Sequence, residues 1–260
     1  MRYFIRLSYK GTHYRGWQRQ NESGTVQEVL ELALYQMTKS KTGIMGCGRT
    51  DVGVHARQFY AHFEIDTPFT FDLVERALRV LPTDIVIHEL LPMHVGAHTR
   101  FDADDRTYYY YCHTSADPML SEVSSFINIT DWKADLVELG LLSIYRRTDF
   151  RYLCLTPDRN VHTRCLLKQT SVVYSADSTR MRFSFKANRF LKSMIRIIMA
   201  RILDLGMGKI TLEEFEGICN GERLLKFNRL APPNGLHLVD VTYPYFQRKL
   251  VRSIIDEGFG

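Results

Sequence analysis

The sequence has no long, uninterrupted hydrophobic run. A membrane-spanning helix needs about 18 or more consecutive apolar residues, and no segment of this 260-residue chain approaches that length. Its first six residues alternate at once between polar and apolar side chains, which is unlike the hydrophobic stretch of a signal peptide. The sequence therefore predicts a soluble, cytoplasmic protein that has no membrane partner.

Paired cysteines are missing as well. The five cysteines are an odd and scattered set without any C-x-x-C pair, consisting of Cys47, Cys112, Cys154, Cys165 and Cys219. This spacing argues against both a disulfide framework and a zinc ribbon. His94 and His98 are four residues apart, which is a spacing that suits a metal ion if the segment is helical. Because they lie in a loop-like stretch that contains proline and glycine, we expect no metal site there.

An acidic excess is also absent. The net charge is +5 and the isoelectric point is near 8.9, a mild basic balance that suits a nucleic-acid-binding protein and many other proteins. Arg15 and Arg19 flank Trp17, and a second basic group on one predicted helix consists of Arg189, Lys192 and Arg196. Each group taken alone is equally typical of solvated surface charge.

Hydrophobic periodicity predicts an α+β protein. In the first half we expect strands at 3–9, 43–47, 59–65 and 85–91, a helix that Thr25 caps and a helix at 72–81. In the second half we expect strands at 108–112, 166–175, 179–186 and 236–243, helices at 133–143 and from about 211, and a long helix that Asn188 caps and that ends at Gly206. The predicted division is residues 1–104, residues 105–245 and a C-terminal tail at 246–260.

The segment from Gly46 to Ala56 combines three glycines with an arginine and an aspartate. Glycine lets the backbone turn sharply and lets a large ligand approach closely. In an extended segment Arg49 and Asp51 point the same way, and the guanidinium favours the ionised carboxylate. An ionised aspartate on such a loop suits a nucleophile or a general base. An ordinary surface turn with an ion pair explains the same pattern.

Four consecutive tyrosines occupy the predicted strand at 108–112. Tyr108 and Tyr110 face one side of a strand, and Tyr109 and Tyr111 face the other. Since each buried hydroxyl needs a hydrogen-bond partner, we expect at least one face to be wet or to face a ligand. Aromatic rings near arginines stack on unpaired bases, although the high β-propensity of tyrosine accounts for the run equally well.

Two further segments have a composition typical of RNA contacts. The loop from Gly11 to Gln20 mixes aromatic, basic and amide side chains, which suits phosphate and base recognition. The basic residues of the long helix predicted from Asn188 onwards form an edge beside its apolar face. A solvated amphipathic helix is the other interpretation of that edge.

Seven motifs in order resemble the TruA family of tRNA pseudouridine synthases. The first in importance is the segment Gly48-Arg49-Thr50-Asp51-Val52-Gly53-Val54-His55-Ala56. The other six are Tyr9-x-Gly11-x-x-Tyr14-x-Gly16-Trp17-Gln18-x-Gln20, Thr25-Val26-Gln27-Glu28, Leu81-Pro82-x-Asp84-Ile85, Arg100-Phe101-x-Ala103-x-x-Arg106-x-Tyr108-x-Tyr110, Phe190-Leu191-x-x-Met194-Ile195-Arg196 and Ala231-Pro232-x-x-Gly235-Leu236-x-Leu238-x-x-Val241. They extend over about residues 3 to 245.

The resemblance implies a fold, a partner and a reaction. The fold would be two ferredoxin-like halves with an extended antiparallel sheet, helices on one face and an RNA-binding cleft on the other. The partners would be tRNA and a second copy of the chain, in a homodimer without a metal or an organic cofactor. The reaction would be the isomerisation of uridine to pseudouridine at positions 38, 39 and 40 of the anticodon arm.

The resemblance also implies roles for individual residues. Asp51 corresponds to the catalytic aspartate, Arg49 to the arginine that pairs with it, and Tyr108 to the tyrosine that packs on the target uracil. Arg196 and Leu236 correspond to residues that line the same pocket. The residues that we expect in further RNA contacts are Arg15, Trp17, Gln18, His55, Arg189 and Lys192.

Some positions depart from the family pattern and leave alternatives open. The departures are Ala97, the segment 149–152 and Ala200, none of which belongs to the catalytic motif. They leave open a pseudouridine synthase that acts on other tRNA or RNA positions. A non-catalytic RNA-binding homologue and a hydrolase with Asp51 as nucleophile are the remaining alternatives. The hydrolase would need a second carboxylate or a water-activating group near Asp51, and the sequence gives no indication of either.

Overall fold

The computed structural model describes residues 1–129, 131–223, 229–246 and 253–259. Within these ranges it has nine β-strands and five α-helices, which confirms the predicted α+β class. The chain forms two compact units, Met1–Asp104 with His237–Arg252, and Asp105–Leu236 with Ser253–Gly260. No helix in the described ranges combines the length and the apolar character that a membrane span requires.

The first unit has the predicted order of strand, helix, two strands, helix and strand. Its elements are β1 (Arg2–Tyr9), α1 (Val26–Thr38), β2 (Met45–Gly46), β3 (His55–Glu64), α2 (Leu73–Val80) and β4 (Ile85–Met93). Strand β1 lies between β3 and β4 and runs antiparallel to both, so that Ile5 pairs with Ala61 on one side and Leu90 on the other. The short strand β2 pairs antiparallel with β3.

Helix α1 begins at the predicted cap. The Thr25 side chain accepts a hydrogen bond from the Glu28 backbone N–H at 3.3 Å, which satisfies one of the donors that a helix leaves open at its N-terminus. The Glu28 carboxylate accepts from the Gly24 N–H at 2.8 Å, one residue earlier than the Thr25 N–H that the capping box predicts. The helix ends where Lys39 adopts a left-handed conformation with φ 59°.

The second unit has one short strand that periodicity did not predict. Its elements are β5 (Asp105–His113), β6 (Ser125–Phe126), α3 (Ala134–Tyr145), β7 (Leu167–Tyr174), β8 (Arg180–Ala187), α4 (Met194–Gly206) and α5 (Leu212–Asn220). Strand β8 lies between β5 and β7 and is antiparallel to both, so that Phe183 pairs with Tyr110 and Val172. The unpredicted strand β6 runs parallel to the end of β5.

The last strand begins at the boundary of the two units. Strand β9 (Leu236–Thr242) pairs in parallel with the start of β3, where His55 is opposite His237. The Gln58 amide of β3 donates to the Asp240 carboxylate at 2.6 Å. The first unit therefore contains both antiparallel and parallel strand pairs.

The predicted start of the long helix is wrong. Helix α4 begins at Met194, preceded by Ser193 in a left-handed conformation with φ 56°, whereas the sequence places its cap at Asn188. The Asn188 side chain instead accepts a hydrogen bond from the Leu166 N–H at 2.9 Å. Because this oxygen is used for the neighbouring segment, it is not the N-terminal cap, and residues 188–193 precede the helix. The predicted end at Gly206 is confirmed.

The C-terminal segment from Ser253 to Phe259 packs on the second unit. The Tyr111 hydroxyl donates to Asp256 Oδ1 at 2.5 Å, and Arg182 Nη1 lies 3.4 Å from the same oxygen. The Arg182 guanidinium also lies 5.1 Å from the centre of the Phe259 ring, in the range of a cation–π contact. Of the tail predicted at 246–260, residues 247–252 and 260 lie outside the described residues.

Candidate functional site

The loop that carries Asp51 connects β2 to β3 and is fixed by backbone hydrogen bonds. The Trp17 N–H donates to the Thr50 carbonyl at 3.3 Å, and the Gly53 N–H donates to the Tyr14 carbonyl at 3.4 Å. Within the loop, the Val54 N–H donates to the Asp51 carbonyl at 3.2 Å. The segment before α1 therefore holds the backbone on both sides of Asp51, and we call residues 47–54 the Asp51 loop.

Glycine is required where these two segments meet. Gly16 has φ +82°, and a Cβ atom built on it would lie 2.5 Å from the Thr50 carbonyl oxygen and 3.2 Å from the Asp51 carbonyl carbon. An L-residue is strained at such a φ, and the first distance is shorter than any ordinary contact. Only glycine allows this close approach of the two backbones at position 16.

Arg49 and Asp51 differ in exposure. Asp51 is half-buried and Arg49 is exposed, and between them the Thr50 hydroxyl lies 2.9 Å from the hydroxyl of buried Tyr9. The Arg49 Nε–H donates to the Gln18 amide oxygen at 3.2 Å. This hydrogen bond joins Arg49 to Gln18 and not to the Asp51 carboxylate. The predicted ion pair between Arg49 and Asp51 stays a prediction.

Trp17 and His55 lie in the core of the first unit. Trp17 is 1% exposed, and its ring stacks on Phe59 with centroids 4.1 Å apart. His55 is 3% exposed, its Nδ1 accepts from the Gly11 N–H at 3.0 Å, and its ring packs against His237. Both rings are buried among protein side chains, and their direct contacts with RNA stay a prediction. Both side chains pack next to the segments that hold the Asp51 loop.

Arg15 and Gln18 lie at the surface of the same unit. Arg15 is exposed and forms an ion pair with Glu22, an interaction that contributes about 0–1 kcal/mol at an exposed site. Gln18 is half-buried, and its amide N–H donates to the Gln27 side-chain oxygen at 2.8 Å. Arg15 is accessible to a phosphate, whereas Gln18 already uses both ends of its amide.

Burial of the tyrosine run in β5 changes along the strand. Tyr108 and Tyr109 are half-buried, whereas Tyr110 and Tyr111 are 0% and 1% exposed. The Tyr110 hydroxyl donates to the Pro232 carbonyl at 2.9 Å, and the Tyr111 hydroxyl donates to Asp256. Burial therefore differs between the two ends of the strand, and each deeply buried hydroxyl has its own acceptor. A face that is wet or faces a ligand stays a prediction for the half-buried end with Tyr108 and Tyr109.

Tyr108 keeps part of its ring accessible. Its ring meets Phe190 edge to face, with centroids 5.2 Å apart and an interplanar angle of 86°. Phe190 lies in the segment that precedes α4 and is itself half-buried. An edge-to-face neighbour fixes the orientation of the Tyr108 ring.

Arg196 and Leu236 are held in the same unit as Tyr108. The Arg196 Nε–H donates to the Ala231 carbonyl at 2.9 Å, and the Ala231 N–H donates back to the Arg196 carbonyl at 2.9 Å. Leu236 is 6% exposed and begins β9. Burial raises the pKa of the Tyr110 hydroxyl far above its usual value, and the positive charge of Arg196 offsets part of that rise. The Tyr110 hydroxyl is therefore neutral at physiological pH.

The basic edge predicted for the long helix does not form as expected. Arg189 and Lys192 lie before the first residue of α4, and of the three basic residues only Arg196 is helical. Arg189 donates to the Asn160 side chain at 3.5 Å, and Lys192 is exposed. The three cations therefore do not share a helix face at spacings of three and four residues.

The predicted site residues divide between the two units. The first unit holds Arg15, Trp17, Gln18, Arg49, Asp51 and His55. The second holds Tyr108, Arg189, Lys192, Arg196 and Leu236. Among the residues that the structure describes, no three His, Cys, Asp or Glu side chains are grouped as a metal site requires.

One residue of this region was not recognised from the sequence as part of a site. Gln27 is 9% exposed, and its side-chain oxygen accepts from the Gln18 amide and from the Arg19 N–H at 2.9 Å. A signal for it is present in the sequence, because Gln27 is a polar residue next to the apolar stripe of α1. Such a buried amide needs several hydrogen-bond partners.

Comparison with known proteins gives one consistent result. Residues 147–244 match the family described as tRNA pseudouridine synthase. The protein named tRNA pseudouridine synthase A from Porphyromonas gingivalis is 33% identical over 262 residues, which cover 94% of this chain and 97% of the relative. Its namesakes from Parabacteroides distasonis and Bacteroides fragilis are 36% and 35% identical, each over 94% of this chain and 96% of the relative. The chain belongs to the tRNA pseudouridine synthase A family.

Proposed function

We propose that the chain isomerises uridine to pseudouridine at positions 38, 39 and 40 of the tRNA anticodon arm, with Asp51 as the catalytic residue. The observation that carries the proposal is the Asp51 loop of a chain that aligns with named tRNA pseudouridine synthases over 94% of its length. Hydrogen bonds from Trp17 and Gly53 fix the loop backbone, while the Asp51 side chain stays half-buried. A fixed but accessible carboxylate suits a group that acts on a bound nucleotide.

The reaction stays within one nucleotide. The glycosidic bond from N1 to C1′ breaks, the uracil turns, and a new bond joins C5 to C1′. The proton on C5 leaves and N1 gains a proton, so the composition of the RNA does not change. Asp51 acts either by covalent attack or by deprotonation of the ribose, and both roles need the ionised carboxylate.

The other predicted residues receive roles in holding the target nucleotide. Extruding a base from its stack costs a few kcal/mol, and stacking of the uracil on the Tyr108 ring offsets about 1–3 kcal/mol of that cost. We assign Arg49 to the Asp51 carboxylate and the extruded nucleotide. Arg196 and Leu236 line the pocket in this proposal, and exclusion of water there keeps the detached uracil from escaping.

We assign the outer RNA contacts to exposed or half-exposed polar side chains. Arg15 and Lys192 are exposed and Arg189 is half-buried, whereas Gln18 contributes through its hydrogen bond to Arg49. Contacts of Lys and Arg with phosphates release counterions, so tRNA binding should weaken with salt by about 0.7–0.9 log units per contact and decade of salt. Trp17 and His55 have a supporting role in this proposal, since their rings are buried.

The proposal also includes the assembly and the location of the chain. We propose two ferredoxin-like halves, a cytoplasmic homodimer with tRNA as its substrate, and a reaction that needs no cofactor. The bacterial relatives support a tRNA enzyme of this kind by their names alone. Light scattering coupled to gel filtration tests the dimer, and activity after dialysis against a chelator tests the independence from metals.

One structural feature supports the alternative that the target uridine lies outside positions 38, 39 and 40. Arg151 and Tyr152 stand in the segment that departs from the family pattern, and both side chains are exposed. Ala97 and Ala200, the other departures, are each 0% exposed and belong to the core. A change of substrate contacts is therefore expected from segment 149–152 rather than from the two alanines.

The test is tritium release from tRNA transcripts labelled at uridine C5. Transcripts carry a single uridine at 38, 39 or 40, and wild type is compared with Asp51→Asn. Release from these transcripts by wild type alone supports the activity, the residue and the positions together. Release from none of them, but from an unrestricted labelled tRNA, keeps the activity and moves the target elsewhere. Binding without any release supports a non-catalytic RNA-binding protein.

A further inference from the structure

We infer that Gln27 and Glu31 of α1 are positioning residues that orient Arg49 through Gln18. The inference rests on the proposed role of Arg49 in holding the target nucleotide. Both residues act through a third side chain, that of Gln18. They act by fixing the direction of a chain of hydrogen bonds that ends at the Arg49 guanidinium.

The chain of hydrogen bonds begins at a carboxylate. Glu31 Oε1 accepts from the Ile44 N–H at 3.1 Å and from the Gln27 side-chain amide at 2.9 Å. Its other oxygen accepts from Arg19 Nη1 at 2.8 Å. A carboxylate accepts hydrogen bonds and donates none when ionised, so this end of the chain has a fixed polarity.

That polarity determines the orientation of both glutamine amides. The Gln27 amide nitrogen faces two acceptors, Glu31 Oε1 and the Ile44 carbonyl at 3.0 Å. Its oxygen therefore faces two donors, the Gln18 amide nitrogen at 2.8 Å and the Arg19 N–H at 2.9 Å. A flipped Gln27 amide would set nitrogen against donors and oxygen against acceptors, so only one orientation satisfies all four contacts.

The second amide transmits this orientation to Arg49. Since the Gln18 nitrogen donates to Gln27, the Gln18 oxygen points to Arg49 and accepts from its Nε–H at 3.2 Å. The bond uses only Nε and leaves the two terminal amino groups of the guanidinium for a carboxylate or a phosphate. A long, exposed arginine side chain within the Asp51 loop is thereby held in one direction.

The position of Gln27 in α1 makes this chain of hydrogen bonds rigid. Gln27 is 9% exposed and lies in the first turn of α1, where its own N–H donates to the Trp17 carbonyl at 3.1 Å. A buried amide with all its hydrogen bonds made has one stable arrangement, and a partly satisfied one is costly. Gln27 therefore serves as a fixed point from which the surface residues Gln18 and Arg49 are ordered.

The direct test follows the Arg49 Nε–H by nuclear magnetic resonance. Its ¹H–¹⁵N signal is assigned with Arg49→Lys and its exchange with water is measured in wild type, Gln27→Met and Glu31→Met. We expect a slowly exchanging signal in wild type and faster exchange or loss of the signal in both variants. Gln36→Met is the matched control, because Gln36 is an exposed glutamine on the same helix. An unchanged Arg49 signal in folded Gln27→Met and Glu31→Met overturns the inference.

The second arm measures single-turnover tritium release with the same proteins. A misplaced reacting group costs as much as about 100-fold in rate, and we expect a loss of about tenfold or more in Gln27→Met at saturating tRNA. The dissociation constant for tRNA should change by less than the rate, and Gln36→Met should match wild type. In an Arg49→Ala background, Gln27→Met should cause little further loss, since coupled residues are not additive.

The two arms separate the inference from the proposed function. Inactive wild type with a changed Arg49 signal in the variants refutes the proposed function and keeps the positioning of Arg49. Active wild type with an equally active Gln27→Met refutes the positioning role and keeps the function. Full additivity of Gln27→Met with Arg49→Ala shows a purely structural role and also refutes the inference. If Gln27→Met does not fold, Glu31→Met, whose unbranched side chain has a similar length but offers no oxygen to the Gln27 amide, decides both arms.

Discussion

Replacement of Gly16 by alanine should disable the Asp51 loop more than it destabilises the protein. A Cβ atom at this position lies 2.5 Å from the Thr50 carbonyl oxygen and 3.2 Å from the carbonyl carbon of Asp51. The backbone has φ +82° there, which costs an L-residue about 1–2 kcal/mol. The overlap with the loop backbone adds about 1–3 kcal/mol, unless the loop moves away. Relief of the overlap moves the backbone at Thr50 and Asp51 and so displaces Asp51 from its position in the structure.

Gly24 provides the matched control for this change. Its φ is +98°, yet no described atom lies within 4 Å of a Cβ atom built on it. Gly24→Ala therefore carries the backbone strain without the overlap, and we expect a loss of about 1–2 kcal/mol in the free energy of unfolding. Gly16→Ala should lose about 1–3 kcal/mol more than Gly24→Ala. For turnover, a displacement of about 1 Å costs about 100-fold, and only Gly16→Ala should show that loss.

Two assays check this pair of variants. Urea unfolding followed by circular dichroism gives the free energies of unfolding, and single-turnover tritium release from C5-labelled tRNA gives the rate at full binding. Equal losses of stability and rate in both variants would refute the steric argument, because the overlap would then have no effect of its own. A Gly16→Ala protein with the wild-type rate would show that the contact with the Asp51 loop does not matter for catalysis.

Two further predictions concern pH and the Tyr108 ring. Burial, together with the nearby positive charges of His98 and Arg2, lowers the pKa of His62 from 6.5 to about 4. Since the unfolded chain binds the proton more tightly, stability is fully present above pH 6.5 and falls towards pH 4, by about 3 kcal/mol. Urea unfolding at pH 7 and pH 4.5 should show this fall in the free energy of unfolding in wild type and in the control His13→Gln, but much less of it in His62→Gln. An equal fall in all three proteins would contradict the assignment of the pH dependence to His62. Tyr108→Leu should slow single-turnover tritium release by about 10-fold or more, as expected from the loss of a base stack worth about 1–3 kcal/mol. Its free energy of unfolding, measured by thermal unfolding, should stay within about 1–2 kcal/mol of the wild-type value. An unfolded Tyr108→Leu protein would instead identify Tyr108 as a core residue.

Periodicity predicted most helices and strands because their apolar residues follow the period of the element. Thr25 and Gly206 mark the ends of α1 and α4 as expected. The start of α4 was missed for a local reason. Asn188 has the residue type of a cap, but its side chain bonds to the Leu166 N–H, and a partner on a neighbouring segment leaves no trace in the local pattern.

The same limit applies to the candidate site. The glycines and the carboxylate of the Asp51 loop were visible in the sequence, since residue type alone carries their chemistry. The burial of Trp17 was not visible, because it depends on Phe59 and on Gly46, whose missing side chain leaves room for the indole ring. The hydrogen bonds of Gln27 were likewise hidden, since their partners come from three separate segments. Contacts that join distant parts of the chain are what the sequence pattern does not encode locally.

The most direct test of the central claim is product analysis of tRNA treated with wild type and with Asp51→Asn. Both proteins should bind tRNA with similar dissociation constants, measured in the same buffer because binding depends on salt. Nucleoside digests should then contain new pseudouridine after treatment with wild type and none after treatment with Asp51→Asn, with the mass of the intact RNA unchanged. Pseudouridine formed at the wild-type rate by Asp51→Asn would contradict the catalytic assignment, and a loss of uracil mass from the RNA would contradict isomerisation itself.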